Sequence, residues 1–162
     1  MEAKVKAPIT ARSLKMRVEI TAYGQGLYRG MLFSRYLEAP FEFRTLVRML
    51  DVMEGVFDVN KFPQAFLSHR TFSSVRKGKK LKTEPILADS TDLKQFAGLG
   101  KEPCSFDIHV RRRENATWQG QIYWVEKDVV CDFKSELEML KLIDEALLEV
   151  EDDVYRATWD CL

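Results

Sequence analysis

The chain has 162 residues, and its 25 Lys and Arg residues balance its 25 Asp and Glu residues. This length suits one compact domain or two small ones around a shared core, and the fractions of hydrophobic (46%) and charged (31%) residues exclude a disordered or fibrous chain. No apolar run approaches the ~18 residues of a membrane span, and the first residues lack a signal-peptide core, so we expect a cytoplasmic protein without membrane contact.

After a peripheral tail (residues 1–12), the first predicted elements are the strands of a β-hairpin. Apolar and polar residues alternate from Leu14 to Ala22, and a period of two indicates a strand with one buried face. Tyr23–Gly26 has the composition of a turn, Leu27–Tyr36 is predicted as the returning strand, and Ala39–Phe43 as a short third strand.

A helix is predicted to follow the hairpin. Thr45 stands at its N-cap. Apolar residues then recur at helical spacing, namely Leu46, Met49, Leu50, Met53 and Phe57. Residues 13–57 are therefore predicted to form a β-hairpin–helix (ββα) unit.

Residues 58–102 form a connecting segment with an uneven charge distribution. Between positions 59 and 83 there are seven Lys and Arg residues, no acid and three phenylalanines. A strand is expected at Phe66–Val75 and a short helix at Thr91–Phe96. The candidate binding residues of this segment are Arg70, Arg76, Lys77, Lys79, Lys80 and Lys82. Basic and aromatic side chains together suit phosphate contacts and base stacking; alternatively, the segment contacts the acidic last helix of its own chain.

The second half of the chain repeats the order of the first. Apolar residues alternate from Phe106 to Val110, and further strands are predicted at Thr117–Val125 and Val129–Phe133. Ser135 and Glu138 have the spacing of a capping box. Apolar residues at helical spacing follow, namely Leu137, Met139, Leu140, Ile143, Leu147 and Val150.

The two halves correspond at a constant offset in sequence. Residues 13–57 match 103–147 without a gap, and substitutions between them keep chemical type, as in Leu32 against Ile122. We predict an α+β fold in which an internally duplicated ββα unit, 13–57 and 103–150, packs about a pseudo-two-fold axis. Residues 151–162 are predicted to be an acidic C-terminal tail.

Two further predictions concern residues at equivalent positions in the two units. Gly30 and Gly120 lie inside the second strand of each hairpin, where glycine indicates a bulge or a close backbone approach. Leu50 and Leu140 are expected to be deeply buried equivalents in the two helices.

His109 is a candidate site residue of the second unit. Strand alternation places it on the outward face with Asp107, Arg111 and Arg113, and this face is either simply solvated or part of a binding site. Neither the two histidines nor the three cysteines have the spacing of metal ligands, and the sequence has no catalytic motif, so no metal, cofactor or catalytic residue is predicted. An odd number of cysteines suits free thiols in a reducing cytosol.

Part of the second unit resembles a known sequence pattern. Thr117–Gly120, Trp124, Phe133–Ser135 and Glu138–Asp144 resemble a small uncharacterised bacterial protein family with the pattern T-W-Q-G…W…F-R/K-S…E-L/M-I/L-x-L-I-D. The resemblance implies a bacterial cytosolic protein and brings no known activity.

Three functions remain open on the sequence. The first is a non-catalytic binding or regulatory module of unknown ligand, monomeric or homodimeric, with a protein or nucleic acid bound through the basic connecting segment. The second is a nucleic-acid-binding protein. The third is an enzyme with a site between the two units, which requires a concave site gathering perturbed ionisable groups.

The connecting segment provides a test of the nucleic-acid hypothesis. Replacing Arg76, Lys77, Lys79 and Lys80 with Gln should weaken RNA or DNA binding in a gel-shift titration at ~50 mM salt, because fewer counterions are released. The fold should persist, since loop charges add little stability. Unchanged binding, together with stability lowered in low salt, would instead indicate an internal contact with the acidic helix.

Overall fold

The structure is an α+β fold with a six-stranded antiparallel sheet and, within the described residues, two helices. The computed structural model describes residues 14–24, 27–65 and 103–159, with the backbone alone for residues 27 and 151–159. The elements are β1 (Lys15–Gly24), β2 (Leu27–Phe33), β3 (Phe41–Phe43), α1 (Leu46–Asn60), β4 (Cys104–Arg112), β5 (Gln119–Trp124), β6 (Val129–Phe133) and α2 (Glu136–Trp159). We call β1 to α1 unit 1, and β4 to α2 unit 2.

The two units join edge to edge in one sheet. The strand order is β3-β2-β1-β4-β5-β6, so β1 and β4 are the central strands. They pair antiparallel, from Lys15 opposite His109 to Ile20 opposite Cys104. The predicted hairpin, short third strand and helix are present in both units. Helix α2 continues to Trp159, into the segment predicted as a tail, whereas the predicted strand and helix of residues 66–100 lie outside the described residues.

Each hairpin has a β-bulge opposite a glycine. The register of β1 shifts opposite Gly30, and that of β4 shifts opposite Gly120. A Cβ at Gly30 would overlap the carbonyl oxygen of Glu19, and a Cβ at Gly120 that of His109. The bulge and the close backbone approach predicted from the two glycines are therefore both confirmed.

The core lies between one face of the sheet and the two helices. Its fully buried large side chains come from both units: Leu14, Met16, Ile20, Leu32, Phe43, Met49, Met53, Phe57, Phe106, Ile108, Phe133 and Met139. Every buried apolar residue of the core except Trp118 has a buried apolar counterpart 90 positions away. The same pattern of burial therefore recurs along both units.

The helix residues at the centre of the core belong to the predicted apolar stripes but do not include Leu50 and Leu140. Met49 and Met53 in α1, and Met139 in α2, are fully buried. Leu50 and Leu140 are only partly buried and pack against the edge of the core. The prediction that these two leucines are deeply buried is wrong, because the apolar stripe is wide and its centre runs through the methionines.

Side-chain caps fix the start of each helix. Thr45 Oγ1 accepts a hydrogen bond from Arg48 N at 3.2 Å, and Ser135 Oγ accepts one from Glu138 N at 3.1 Å. The Glu138 carboxylate accepts from Lys134 N at 2.6 Å, one residue before the position that a standard capping box uses. Both N-caps thus satisfy backbone donors that the helix itself leaves unpaired.

The glycines provide a paired test of the fold. Gly120→Ala should lower the free energy of unfolding by about 1–3 kcal/mol, because the added methyl group meets the rigid backbone of β4. Gly55→Ala is the control: it lies in α1, where a Cβ meets nothing within 4 Å, and should raise stability by about 0.5–1 kcal/mol. Urea denaturation measures both. Equal effects of the two changes would contradict the close approach at Gly120.

Candidate functional site: the outer face of the sheet

The sheet face opposite the helices, here called the outer face, carries polar and aromatic side chains in rows across the strands. One row is formed by Phe33, Arg17, Asp107, Tyr123 and Val130, each the register partner of the next. The adjacent row is formed by Lys15, His109, Gln121 and Asp132. None of these side chains belongs to the buried core, and both described helices pack on the other face. The outer face is therefore the accessible broad surface of the described part of the chain.

An ion pair occupies the centre of the outer face, where the two units meet. Arg17 Nε lies 2.7 Å from Asp107 Oδ1, and Arg17 Nη2 lies 2.9 Å from Asp107 Oδ2. The hydrogen bonds that Arg17 donates to Asp107 raise the pKa of Arg17 further above its ordinary value. Because both side chains are partly exposed, the pair adds little stability. The two parallel hydrogen bonds do orient both groups, and the positive charge of Arg17 neutralises the negative charge of Asp107.

A basic cluster, defined as Lys15, His109 and Arg111, lies next to this pair. Lys15 stands directly opposite His109, and Arg111 follows two residues along β4. Together with Asp107 and Gln121 the cluster lines a depression of about 540 Å³. Arg111 Nη2 donates to Gln121 Oε1, which holds the guanidinium over the sheet. Lys15 and Arg111 bring positive charge to this depression and His109 adds an imidazole, so the arrangement is suited to an anion.

Two aromatic rings flank the central ion pair. Tyr123 is the register partner of Asp107 and lines the same depression, and Phe33 is the register partner of Arg17 on the other side. The Tyr123 hydroxyl donates to Asp128 Oδ1 at 2.8 Å, and this bond raises the pKa of the phenol. The outer face thus combines basic side chains with aromatic rings that are not part of the hydrophobic core.

Arg113 does not lie on the outer face, and the prediction that it points outward with His109 is wrong. Its side chain is 5% exposed, lies over the Phe57 ring and donates from Nη1 to Asp58 Oδ1 at 2.7 Å. Its Nε donates to the Pro63 carbonyl oxygen at 2.6 Å. The bulge in β4 inverts the alternation after Val110, which turns Arg113 towards α1. Arg113 is a packing residue that ties unit 2 to unit 1.

The structure brings together two of the residues predicted for a site, His109 and Arg111. It adds Lys15, Gln121 and Tyr123, which the sequence analysis did not select. Lys15 belongs to unit 1, so its place beside His109 depends on the pairing of two strands far apart in sequence. The other predicted binding residues, Arg70, Arg76, Lys77, Lys79, Lys80 and Lys82, lie outside the described residues.

Two partly or fully buried groups of the described residues have pKa values raised by their surroundings. Burial and the Glu126 charge raise the pKa of the Cys104 thiol to about 12, and burial with a hydrogen bond to Asp144 raises that of Tyr28 to about 12. These shifts lead away from neutral pH, where a general acid or base works best. The described residues hold no group of three or more acidic, His or Cys side chains that could bind a metal.

A second surface feature lies at the sheet edge, on the helix side. Ile122, Trp124, Cys131 and Leu142 line an apolar groove of about 310 Å³ between β6 and α2. The counterpart of Cys131 in unit 1 is Phe41, a larger side chain packed against the core. The groove therefore lies at the position where unit 2 has Cys131 and unit 1 has the larger Phe41.

Comparison with known proteins gives no relative: no family model, no curated protein and no solved structure matches this chain. Among the described helices, none is long and apolar enough to cross a membrane.

The role of Arg113 can be tested against that of its neighbour. Arg113→Ala should lower the free energy of unfolding by about 2–3 kcal/mol, because it removes buried hydrogen bonds and packing on Phe57. The side chain of Arg112 is 65% exposed, so Arg112→Ala should change the free energy of unfolding by no more than about 0.5 kcal/mol. Thermal and urea denaturation measure both. A harmless Arg113→Ala would exclude the packing role.

Proposed function

We propose that this protein is a non-catalytic binding module that holds an anionic partner on the outer face of its sheet. The observation that carries the proposal is the basic cluster of Lys15, His109 and Arg111, which lines an accessible depression. The only described acid among the lining residues is Asp107, and its charge is neutralised by Arg17. A shallow charged surface of this kind suits binding better than catalysis, which requires a concave site with tuned ionisable groups.

We further propose that the molecule is an internally duplicated unit with a pseudo-two-fold axis. Arg17 and Asp107, which face each other, are 90 positions apart in sequence. An axis between them relates the flanking pairs, Lys15 opposite His109 and Glu19 opposite Ser105. Symmetric dimers use one surface twice in this way. The recurring bulges and the recurring burial pattern support the same proposal.

Contacts between the units follow the same relation. The Tyr23 hydroxyl lies 3.5 Å from Asp144 Oδ1, and Arg113 Nη1 lies 3.9 Å from Glu54 Oε1. Tyr23 and Arg113 are counterparts at the hairpin ends, and Glu54 and Asp144 are counterparts in the helices. Each hairpin therefore contacts the helix of the other unit at equivalent positions. This exchange favours a fused pseudo-dimer over two independently folding units.

The proposed setting is the cytoplasm of a bacterium. The two described cysteines, Cys104 and Cys131, are free thiols, which suits a reducing compartment. The resemblance to the small bacterial family with the T-W-Q-G pattern supports a bacterial origin and implies no particular activity. Replacing Arg76, Lys77, Lys79 and Lys80 with Gln tests whether the connecting segment adds to the binding surface.

Heparin, a sulfated polyanion without bases, tests the binding surface. Titration of the 15N-labelled protein should shift the amide signals of Lys15, His109 and Gln121, and affinity should fall as salt rises. The Lys15→Gln/Arg111→Gln variant should bind heparin about tenfold more weakly at low salt. Arg29→Gln is the matched control, because Arg29 lies on the outer face of unit 1, paired with Glu42.

Equal heparin affinity of the double variant and the wild type would refute the proposal. Melting curves of all variants must coincide with the wild type within a few degrees, since the changed side chains are exposed and contribute little to stability.

A further inference from the structure

We infer that the anionic partner is single-stranded nucleic acid, with phosphates on the basic cluster and a base stacked on Tyr123. This inference rests on the proposed function and specifies its ligand. The observation behind it is that Tyr123 and the basic cluster line one depression on the outer face. Proteins that bind single strands combine a positively charged surface with aromatic rings in this way.

The position of Tyr123 suits stacking. It lies two residues from Gln121 on β5, and its register partners are Asp107 on β4 and Val130 on β6. Its hydrogen bond to Asp128 fixes the direction of the ring. A ring fixed before binding loses little entropy when a base packs on it. Tyr123 is thus a preorganised stacking platform rather than a core residue.

His109 of the basic cluster lies within reach of a nucleotide stacked on Tyr123. Diagonal neighbours on adjacent strands are about 7–8 Å apart, which is the relation of Tyr123 to His109. Gln121 stands between Tyr123 and Arg111 and brings an amide group suited to the edges of unpaired bases. The exposed Asp132 lies at the sheet edge, at one end of this row, and its negative charge repels phosphates there. Phosphates are therefore expected at the basic cluster in the centre of the sheet.

The shape of the outer face argues against a duplex. Double-stranded DNA is read by a helix or a two-stranded ribbon that enters a groove, and the described outer face presents neither. An open antiparallel sheet with exposed aromatic rings is an architecture that stacks unpaired bases. Single-stranded RNA or DNA therefore fits the surface better than a double helix.

The two halves of the outer face predict one binding site rather than two. The aromatic position is shared, with Phe33 as the counterpart of Tyr123. The basic positions are not shared, because the counterparts of Lys15, His109 and Arg111 are Ser105, Glu19 and Thr21. Phosphates should therefore contact the end of the outer face where Lys15 of β1 meets His109 of β4. A stoichiometry of one strand per protein follows for short oligonucleotides.

Fluorescence anisotropy with labelled oligo(U) of about 12 nucleotides tests the inference at about 50 mM salt. Tyr123→Leu should weaken oligo(U) binding by about tenfold and leave heparin binding unchanged, because only the oligonucleotide has bases to stack. Tyr123→Phe keeps the ring but loses the hydrogen bond to Asp128, so it should bind oligo(U) more tightly than Tyr123→Leu and a few-fold more weakly than the wild type. Lys15→Gln/Arg111→Gln should weaken both ligands and reduce the salt slope for oligo(U) by about 1.4, or roughly 0.7 per lost phosphate contact.

Three results would overturn the inference: no oligo(U) binding, equal loss of heparin and oligo(U) binding in Tyr123→Leu, or tighter binding of a duplex of the same length. If heparin still depends on Lys15 and Arg111 in any of these cases, the proposed anion-binding function stands and only its ligand is wrong. If heparin does not depend on them either, the proposed function fails as well.

Discussion

The pairing of β1 with β4 is the constraint on which the other features of the molecule depend. A hairpin alone is at best marginally stable in water, whereas a longer sheet with a covered apolar face is stable. The pairing makes the inner face continuous, because Met16 and Val18 of unit 1 lie beside Ile108 and Phe106 of unit 2. On the outer face the same register places Lys15 opposite His109. The core and the candidate site thus arise from one set of backbone hydrogen bonds.

Contacts between hairpins and helices reinforce this pairing. Tyr28, near the end of the first hairpin, donates its hydroxyl hydrogen bond to Asp144 of α2 at 2.9 Å. Burial and this hydrogen bond raise the pKa of Tyr28 to about 12, so the phenol stays a donor even at an alkaline pH where an exposed tyrosine ionises. At the end of the second hairpin, Trp118 packs edge-on against Phe57 of α1, with ring centroids 5.2 Å apart. Separating the two units would therefore disrupt the helix packing as well as the sheet.

Local features of the sequence predicted the elements well, and non-local features were missed. Alternation, glycines and N-cap residues determine strands, bulges and helix starts within a few positions, which is why the hairpins and helices were found. The orientation of Arg113 was wrong because a bulge inverts the alternation, and the sequence indicated the bulge only through Gly120 on the partner strand. The contribution of Lys15 was missed because it depends on a register between distant strands, which no local pattern encodes.

The contrast between the two faces of the sheet supports a functional origin for the basic cluster. On the inner face, packing restricts both units alike, as Gly30 with Phe43 and Gly120 with Phe133 illustrate: in each unit the glycine is the register partner of the buried phenylalanine. On the outer face, solvent imposes no such restriction, and exchanges of polar residues cost little stability. The gathering of Lys15, His109 and Arg111 around one depression is therefore not required by folding. A cluster of basic side chains that the fold does not require is expected where a ligand binds.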